Sequence, residues 1–406
     1  MKYALTAPTC IKGTIDLPAS KSISNRALLL SVLAAGKTDV THVAHCDDTM
    51  VMEYALQKRD PVIDIGAAGT AMRFLTAYFA TQEGKRILTG SERMKQRPVK
   101  ILVEALNALG ASIHYLEQEG FPPLEINGTA LKGGELHLQG NVSSQYISAL
   151  LMIAPTLKQG LSLTLEGEIV SRPYIHMTLE MMRLFGIESQ WTDHRIVVRP
   201  QPYRFYPFEV ESDWSAASYW YGMAALAPKT LLQLKGLKKD SLQGDAQCAS
   251  IFESLGVHTS YHPDGITIES TERPVPFFSY HFIDQPDLAQ TVIVTCCLLG
   301  IPFHCEGLQS LKIKETDRMA ALINELAKLG YSLKQHDHGT LSWDGSMKSA
   351  VSPAVIETYN DHRMAMSFAL TSFRHPVLIA DPEVVSKSYP AFWDDLKQTG
   401  FSIEIV

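Results

Sequence analysis

Several features that would assign the chain to a common class of protein are scarce or missing. Cysteine occurs only at Cys10, Cys46, Cys248, Cys296, Cys297 and Cys305. These residues form no CxxC pair and have no metal-type spacing with histidine, so we expect reduced thiols in a cytosolic protein, with no metal and no cofactor. The opening MKYALTAPTC contains no signal-peptide apolar core. The sequence also has no P-loop and no strand-linked GxGxxG, which argues against a P-loop kinase or a nicotinamide dehydrogenase.

Positive charge is also in short supply. The 36 Lys and Arg residues face 43 Asp and Glu residues, which gives a formal net charge of −7. A general nucleic-acid binder usually has a broad basic face, so we expect no nucleic-acid partner, and any anion site must come from a local cluster. Apolar residues at 46% and charged residues at 19% are typical of a globular protein. The 406 residues exceed one ordinary core, which predicts two domains.

One long uncharged stretch needs an explanation. Residues 288–305 lack Asp, Glu, Lys and Arg, a length at which a membrane span is considered. The stretch nevertheless includes Gln290, Gly300, Pro302 and His304. We therefore expect a buried helix, a turn at Gly300 and a strand, in a protein that is not associated with a membrane.

Five segments share one pattern, in which an apolar helical stretch is followed by a glycine and a strand-like run. They read LNALGASIHY, MRLFGIESQW, FESLGVHTSY, LAKLGYSLKQ and LKQTGFSIEI, with glycines at Gly110, Gly186, Gly256, Gly330 and Gly400. The spacings of 76, 70, 74 and 70 residues fit a small α/β unit of two helices and three or four strands. Each glycine suits the left-handed position that ends a helix. A sixth unit without the glycine precedes the first, so the sequence predicts six units, three in each of two domains.

Charged residues stand in front of an apolar periodic run in IKETDRMAAL, residues 313–322. The periodicity predicts a helix from about Glu315 to Leu329, with Thr316 as the N-cap. Lys314 and Arg318 oppose the positive end of the helix dipole, at about 0.3–1 kcal/mol each unless an anion compensates them. A solvated first turn is one explanation of this pattern, and a site for a charged substrate is the other.

The same anomaly recurs at other predicted helix starts. Lys21 and Arg26 lie beside the candidate caps Ser22 and Ser24, Arg73 follows Thr70, and His362 and Arg363 follow Asn360. Hydroxyl caps, free N–H groups and a guanidinium together favour a phosphate or carboxylate ligand. Their recurrence in both halves of the chain predicts a small, multiply anionic ligand in a cleft between two domains, where helix N-termini converge.

The motifs then identify a resemblance. LPASKSISNRALLL, AAGTAMR, QRP, VSSQ, SRPYI, PDLAQ, KETDR, YNDHRMAM and SKSYP occur in the order seen in the 5-enolpyruvylshikimate-3-phosphate synthase family, from Pro18 to Pro390. The resemblance implies an α/β (α+β) fold of two pseudo-symmetric domains, each of three βαβαββ units, with helix N-termini facing the interdomain cleft. It implies a discontinuous domain of residues 1–17 and 213–406, mainly on the phosphoenolpyruvate and catalytic side. Residues 18–212 would form the domain mainly on the shikimate-3-phosphate side.

The resemblance also implies an activity and a set of site residues. The family transfers the carboxyvinyl group of phosphoenolpyruvate to the 5-hydroxyl of shikimate-3-phosphate and releases phosphate, and we expect a cytoplasmic monomer without a cofactor. The proton carriers would be Asp287 as base and Glu315 as acid, and Lys21 would touch both substrates. The implied ligands of shikimate-3-phosphate are Lys21, Ser22, Arg26, Ser143, Ser144, Gln145, Ser171, Tyr174, Asp287 and Lys314. Those of phosphoenolpyruvate are Lys21, Gly69, Arg97, Gln145, Arg318, Arg363 and Lys387.

The chain departs from the family pattern at three places. Ala67 stands where the family usually has Asn and Phe74 where it often has Pro, while Ser310 replaces a common substrate-binding Asn. The segment from Asp48 to Arg73 is short, which predicts that this unit has lost a pair of strands. The nearest alternative is the sister family that acts on a UDP-sugar. It normally carries a cysteine in the loop that reads SERMKQRP here, and this loop has none.

Overall fold

The computed structural model describes residues 1–35, 39–58, 60–271 and 274–406, and all structural statements concern these ranges. The strands are β1 Lys2–Thr6, β2 Cys10–Asp16, β3 Val40–Thr41, β4 Val62–Asp64, β5 Gly84–Thr89, β6 Ser112–Tyr115, β7 Leu124–Gly128, β8 Gly134–Gln139, β9 Leu161–Glu166, β10 Ser189–Thr192, β11 Arg195–Val198, β12 Phe208–Glu209, β13 Lys229–Lys235, β14 Val257–His262, β15 Gly265–Ser270, β16 Phe278–His281, β17 Phe303–Glu306, β18 Lys334–His336, β19 Thr340–Trp343, β20 Ala354–Ile356, β21 Val377–Ala380 and β22 Ser402–Ile405. The α-helices are α1 Lys21–Ala35, α2 Asp47–Gln57, α3 Gly69–Ala80, α4 Lys100–Ala108, α5 Ser144–Ile153, α6 Arg172–Leu184, α7 Trp214–Leu226, α8 Cys248–Glu253, α9 Ala289–Leu299, α10 Arg318–Lys328, α11 His362–Ala369 and α12 Phe392–Gln398.

The chain divides into two compact units. One comprises Met1–Ala19 and Glu211–Val406 and is called the discontinuous unit; the other comprises Ser20–Val210 and is called the continuous unit.

The discontinuous unit contains three four-stranded sheets with the same strand arrangement. In the sheet β16-β17-β19-β18, the parallel pair β16 and β17 is joined through α9, and the antiparallel hairpin β18–β19 follows α10. The sheets β14-β15-β13-β2 and β20-β21-β1-β22 repeat this βαβαββ order. In the last of them the N-terminal strand β1 supplies the fourth position, between β21 and β22. The predicted repeat is therefore a structural unit. When its four strands are numbered along the chain, with β1 as the fourth strand of the last repeat, their order across the sheet is 1-2-4-3.

The continuous unit has two complete repeats and one reduced repeat. The sheets β4-β5-β7-β6 and β10-β11-β9-β8 have four strands each, whereas β12 and β3 form a parallel two-stranded sheet in the described part of the chain. In the shortened segment, β4 of the next sheet is the first strand after α2 among the described residues. Among the described residues, this repeat thus has two paired strands where the others have four, which agrees with the predicted loss of a strand pair.

Two kinds of helix surround these sheets. Every residue of α11 and nearly every residue of α7 and α9 is buried in the core of the discontinuous unit. The helices α3 and α5 have the same character in the continuous unit. By contrast, α4 and α10 alternate buried and exposed positions, as amphipathic surface helices do. The buried helices have few polar side chains along their length, so their polar chemistry is concentrated at their N-terminal ends.

The sequence-based expectations about breaks in the chain hold. All five repeat glycines have positive φ, between 82° at Gly186 and 101° at Gly110, which only glycine adopts at little cost. The uncharged stretch forms α9, a left-handed Gly300 and β17, as predicted. Within the described ranges, no helix has both the length and the apolar character that a membrane crossing requires.

Candidate active site

The guanidinium of Arg318 is the centre of a cluster in the discontinuous unit. Arg318 is the first residue of α10 and is 1% exposed. It donates from Nε to Oδ2 of Asp361 at 2.7 Å and from Nη2 to Oδ1 of the same carboxylate at 3.3 Å. The same side chain also reaches Oδ1 of Asp287 from Nη1 at 3.1 Å and Oε2 of Glu315 from Nη2 at 2.8 Å. One buried cation therefore holds three carboxylates.

Asp287 lies where three cations meet, just before α9. Besides Arg318, it accepts from Nη2 of Arg363 at 3.0 Å, and Nζ of Lys314 lies 3.8 Å from its Oδ1. Burial raises the pKa of Asp287, but the charges of Arg363, Lys314 and Arg318 outweigh burial and hold the pKa well below its usual range. Burial also lowers the pKa of Lys314, against the opposing attraction of Asp287. Asp287 is therefore an ionised carboxylate, the form that can accept a proton.

Glu315 occupies the other side of the same guanidinium. Its Oε2 accepts from Arg318, and its Oε1 accepts from Nζ of Lys387 at 3.0 Å. Lys387 ends the short 3-10 helix Pro382–Lys387, so a third element of the unit contributes to the cluster. The structure thus brings together all six site residues predicted in this unit: Asp287, Lys314, Glu315, Arg318, Arg363 and Lys387.

Two of the predicted helix caps are wrong, and both errors have the same cause. The side chain of Asp317, not Thr316, caps α10 by accepting from the Ala320 N–H at 3.1 Å. Likewise Asp361, not Asn360, caps α11 by accepting from the Arg363 N–H at 2.9 Å. In each pair the adjacent aspartate takes the cap because a carboxylate also interacts favourably with the helix dipole. The helix predicted from Glu315 accordingly begins at Arg318.

Arg363 is fixed from three directions. Apart from Asp287, it donates to Oγ of Ser215 at 3.2 Å and to the hydroxyl of Tyr219 at 3.3 Å, both on α7. Burial raises the pKa of Tyr219 to about 12, so its hydroxyl keeps its proton. These contacts set the direction of the guanidinium.

In the continuous unit, Lys21 is the first residue of α1 and has its own carboxylate partner. Its Nζ lies 3.3 Å from Oδ2 of Asp48 on α2. Because α1 begins at Lys21, Ser22 and Ser24 lie inside its first turn and the prediction that either caps the helix is wrong. The hydroxyl of Ser24 instead accepts from the Ala44 N–H at 3.0 Å, so tertiary contact with the following loop decides its use.

Arg26 ties three helices of the continuous unit together. Its guanidinium donates to Oγ1 of Thr178 on α6 at 2.8 Å and to Oγ of Ser148 on α5 at 3.1 Å. It also donates to the backbone carbonyls of Ser22 at 2.9 Å and Tyr174 at 3.5 Å. Burial lowers the pKa of Arg26 to about 10, which leaves it protonated at neutral pH. These bonds bring Ser22, Arg26 and Tyr174 together.

A second group of predicted residues meets at the start of α3. The helix begins at Gly69 after the N-cap Ala68, so the prediction that Thr70 is the cap is wrong. Thr70 instead accepts from Nε2 of Gln145 at 3.1 Å. A Cβ added at Gly69 would lie 2.5 Å from Nη1 of Arg97, so the missing side chain leaves room for this guanidinium.

The serine residues of the continuous unit stand at two further helix starts. Ser143 is the N-cap of α5 and accepts from the Gln145 N–H at 3.3 Å, while Ser144 is the first helical residue. Ser171 precedes α6 with a left-handed φ of 54°, and a proline follows in the first turn. A serine in this conformation is uncommon, and the strain is typical of a site at which backbone direction matters.

The structure changes one argument drawn from the sequence. Cations at helix starts pointed to a missing anion, yet the chain itself supplies carboxylates: Asp361 for Arg318, and Asp48 for Lys21. Sequence reasoning missed both residues: Asp361 lies directly beside Asn360 and His362 of a predicted helix start, whereas Asp48 lies on α2, away from the predicted site segments. A substrate must therefore compete with internal ion pairs or share their cations.

The three departures from the family pattern occupy different environments. Phe74 is fully buried, with the Arg26 guanidinium 5.3 Å from its ring centroid. Ala67 is exposed two residues before Gly69, and Ser310 lies half-buried in the 3-10 helix Gln309–Ile313. In the part of the chain that the structure describes, no group of three or more His, Cys, Asp and Glu residues is arranged to hold a metal ion.

Comparison with known proteins agrees with this picture. The sequence profile of the family described as EPSP synthase (3-phosphoshikimate 1-carboxyvinyltransferase) matches residues 5–59 and 53–396. A protein of Bacteroides fragilis strain YCH46, named 3-phosphoshikimate 1-carboxyvinyltransferase, is 55% identical over 407 residues, covering 100% of this chain and 99% of its own. A protein of Pasteurella multocida with the same name is 39% identical over 420 residues, covering 95% and 94%.

A solved structure extends the likeness to the fold. The EPSP synthase of Acinetobacter baumannii, determined at 2.37 Å, aligns over 100% of both chains with a TM-score of 0.80 at 20% sequence identity. At that identity the superposition concerns architecture alone. The profile match, the full-length relatives and the shared two-unit α/β architecture together show that this chain belongs to the EPSP synthase (3-phosphoshikimate 1-carboxyvinyltransferase) family.

Proposed function

We propose that Asp287 and Glu315 carry the protons in the reaction that family membership assigns to this chain. That reaction transfers the carboxyvinyl group of phosphoenolpyruvate to the 5-hydroxyl of shikimate-3-phosphate and releases phosphate, a step of aromatic amino-acid biosynthesis. The observation that carries the proposal is the placement of both carboxylates on one guanidinium, at 3.1 Å and 2.8 Å from the two Nη atoms of Arg318. An addition across a double bond needs an acid and a base around the same pair of carbons.

The steps balance as an addition followed by an elimination. Asp287 accepts the proton of the 5-hydroxyl while the hydroxyl oxygen bonds to C2 of phosphoenolpyruvate. Protonated Glu315 delivers a proton to C3. The resulting tetrahedral intermediate then loses phosphate from C2, and a proton returns from C3 to Glu315. The proton held by Asp287 passes to the departing phosphate, so both carboxyl groups regain their starting states. Arg318, Arg363 and Lys387 would stabilise the departing phosphate, since positioned cations act most strongly where charge develops.

The substrate contacts are proposed from the same clusters. Phosphoenolpyruvate would bind the cations of the discontinuous unit and the Gly69–Arg97 pair, with Lys21 and Gln145. Shikimate-3-phosphate would bind the helix starts of the continuous unit, with Asp287 and Lys314. The residues proposed for that second substrate in the continuous unit are Lys21, Ser22, Arg26, Ser143, Ser144, Gln145, Ser171 and Tyr174. Helix N-termini with hydroxyl caps suit phosphate groups.

Substrate binding would also prepare the base. In the structure, Arg363, Lys314 and Arg318 keep the pKa of Asp287 low and make it a weak base. An incoming phosphate or carboxylate would draw these cations away from Asp287. The pKa of Asp287 would then rise towards that of a useful general base, so the site would be activated by its own substrates.

We further propose that the chain acts as a monomer in the cytoplasm and without a nucleic-acid partner. The excess of acidic residues supports the absence of a nucleic-acid partner. The six cysteines are free thiols, and five of them are buried, which is usual in a reducing compartment. A transferase acting on a UDP-sugar is not favoured, because relatives aligned over their full length are named 3-phosphoshikimate 1-carboxyvinyltransferase. The loop Ser91–Pro98 also lacks the cysteine that the UDP-sugar family normally has there.

The test is phosphate release by the purified chain with each substrate alone and with both. We expect release only when both substrates are present, and a fall in kcat of about 10²- to 10⁴-fold in Glu315→Gln. The KM for phosphoenolpyruvate should not rise, because this change removes a carboxylate that competes for Lys387 and Arg318. Glu404→Gln on the exposed face of β22 is the matched control. An inactive wild type would refute the function, and full activity in Glu315→Gln would refute the assignment of the proton donor.

A further inference from the structure

Glu325 is a fully buried carboxylate for which the proposed chemistry has no use. It lies on α10, and its Oε1 accepts from the hydroxyl of Tyr359 at 2.7 Å. Its Oε2 accepts from the Glu357 N–H at 3.0 Å and from Nζ of Lys328 at 2.6 Å. Burying a carboxylate is unfavourable unless hydrogen bonds and a countercharge compensate it, and here all are present. Two of the three donors belong to a single loop outside α10.

That loop joins β20 to α11 and has an unusual backbone. Tyr359 and Asn360 both have a φ of 54°, so two consecutive residues other than glycine are left-handed. An aromatic residue in this region is a genuine outlier, and such strain persists only where surrounding contacts impose it. Directly after this pair comes Asp361, whose N–H donates to the Thr358 carbonyl at 2.8 Å. The loop therefore determines where the Asp361 carboxylate points.

Helix α10 holds the loop at two places. Arg318 and Glu325 are seven residues apart, which puts both side chains on one face of the helix. Arg318 binds Asp361 at one end of the loop, and Glu325 binds Glu357 and Tyr359 at the other. Burial and the bond to Glu325 raise the pKa of Tyr359 to about 12, so its hydroxyl remains a donor.

We propose that Glu325 is a positioning residue for the phosphoenolpyruvate cations. By fixing the left-handed loop, Glu325 sets the direction of Asp361, which in turn holds Arg318 and caps the helix that carries Arg363. The inference rests on the proposed function, in which Arg318 and Arg363 bind phosphoenolpyruvate. Glu325 acts only through the loop and touches no substrate.

The experiment compares Glu325→Gln and Tyr359→Phe with Leu326→Ala. Glutamine fills the same volume but has one acceptor oxygen, so it can serve only one of the two loop donors. Leu326 is the adjacent buried residue of α10, and its truncation destabilises the same helix through a cavity. We expect Glu325→Gln to raise the KM for phosphoenolpyruvate about tenfold and to leave the KM for shikimate-3-phosphate within about twofold. Tyr359→Phe should raise the KM for phosphoenolpyruvate by a smaller factor and again leave the KM for shikimate-3-phosphate nearly unchanged. Leu326→Ala should lower the melting temperature without a selective rise in the KM for phosphoenolpyruvate.

A second readout does not depend on catalysis. Amide hydrogen exchange of residues 359–363 in the substrate-free chain should be faster in Glu325→Gln than in the wild type or in Leu326→Ala. Equal effects on both substrates, or the same selective effect in Leu326→Ala, would overturn the proposal. If Glu325→Gln does not fold, the KM values and the amide exchange of Tyr359→Phe test the proposal, because this variant loses only one hydroxyl group. A wild type without turnover would refute the proposed function, whereas unchanged exchange in the variants would refute the positioning role.

Discussion

Arg318 and Asp361 form a two-point ion pair inside the discontinuous unit, with Nε 2.7 Å from Oδ2 and Nη2 3.3 Å from Oδ1. The side chains are 2% and 0% exposed, so solvent screens the pair very little. Arg318 begins α10 and Asp361 caps α11, so the pair links the starts of two helices. Arg318 also donates to Glu315 and Asp287, the proposed proton carriers. The ion pair with Asp361 therefore fixes the guanidinium that both proton carriers contact.

The first prediction concerns this pair. Asp361→Asn keeps an oxygen that can cap α11, but it removes the charge that compensates the most buried guanidinium in the cluster. We expect the free energy of unfolding to fall by about 3 kcal/mol, as it does when one partner of a buried pair is removed. Urea unfolding of the two proteins measures the difference.

Asp317→Asn provides a matched control for that change. Asp317 also caps a helix, α10, but its carboxylate is only partly buried. Asparagine caps as well as aspartate, so the loss should be a few tenths of a kcal/mol. Equal losses in the two variants would show that capping, not charge compensation, is the role of Asp361.

The second prediction concerns Gly69. In Gly69→Ala the new Cβ would lie 2.5 Å from Nη1 and 2.8 Å from Nη2 of Arg97, so the guanidinium must move. One added methyl group in a fitted site changes affinity by roughly 10- to 200-fold, and we expect the KM for phosphoenolpyruvate to rise by at least tenfold. Steady-state kinetics at saturating shikimate-3-phosphate gives this value. The control is Thr70→Ser, which keeps the hydroxyl that accepts from Gln145 and should leave the KM for phosphoenolpyruvate nearly unchanged. An unchanged KM in Gly69→Ala would show that Arg97 does not bind phosphoenolpyruvate.

Local chain geometry was more predictable than the identity of helix caps. The five repeat glycines were predictable because a left-handed φ at a helix end excludes most other residues. At α10 and α11, two good cap residues are adjacent in the sequence, and their intrinsic preferences differ little. At α11 the bond from Arg318 to Asp361 adds a long-range contact that also favours the aspartate and that no local pattern contains.

The candidate site was predictable in part for the same reason. Unusual cations at helix starts pointed to Arg318, Arg363 and Lys21, because each opposes the helix dipole in a visible way. Their internal partners gave no such signal, since an aspartate near a helix start is ordinary. Asp48 and Glu325 were identified only when the tertiary contacts placed a cation or a strained loop beside them.

The third prediction separates a structural role from a binding role at Arg26. Its guanidinium donates to Thr178, Ser148 and the Ser22 carbonyl, a fork that a lysine ammonium cannot reproduce. We expect Arg26→Lys to lower the free energy of unfolding by about 2 kcal/mol, since buried acceptors lose their donors. Chemical denaturation is the measurement. Arg183→Lys, at an exposed ion pair with Glu180 on α6, should cost less than about 0.5 kcal/mol. A rise in the KM for shikimate-3-phosphate without loss of stability would mean that Arg26 acts mainly on substrate.

The fourth prediction concerns pH and Asp287. The pKa of this carboxyl in the folded chain lies below its ordinary value of 3.8, so the unfolded chain binds the proton more readily. Its ionised form therefore stabilises the fold fully above about pH 5, and this contribution is lost as the pH falls below 3.8 towards the folded pKa. Asp287→Asn should be less stable than the wild type at pH 7, because Arg363, Lys314 and Arg318 lose a shared countercharge.

The difference between the two proteins should shrink as the pH is lowered from 5 to 3, because the unfolded wild type then takes up a proton at Asp287 that the folded chain does not bind. Denaturant unfolding at several pH values, each at constant ionic strength, gives the curve. Asp240→Asn, at an exposed carboxyl outside this cluster, corrects for the loss of one surface charge. A difference that stayed constant to pH 3, or that widened, would contradict the ion-pair origin of the low pKa. It would also remove the basis for the proposal that substrates activate Asp287 by drawing its cations away.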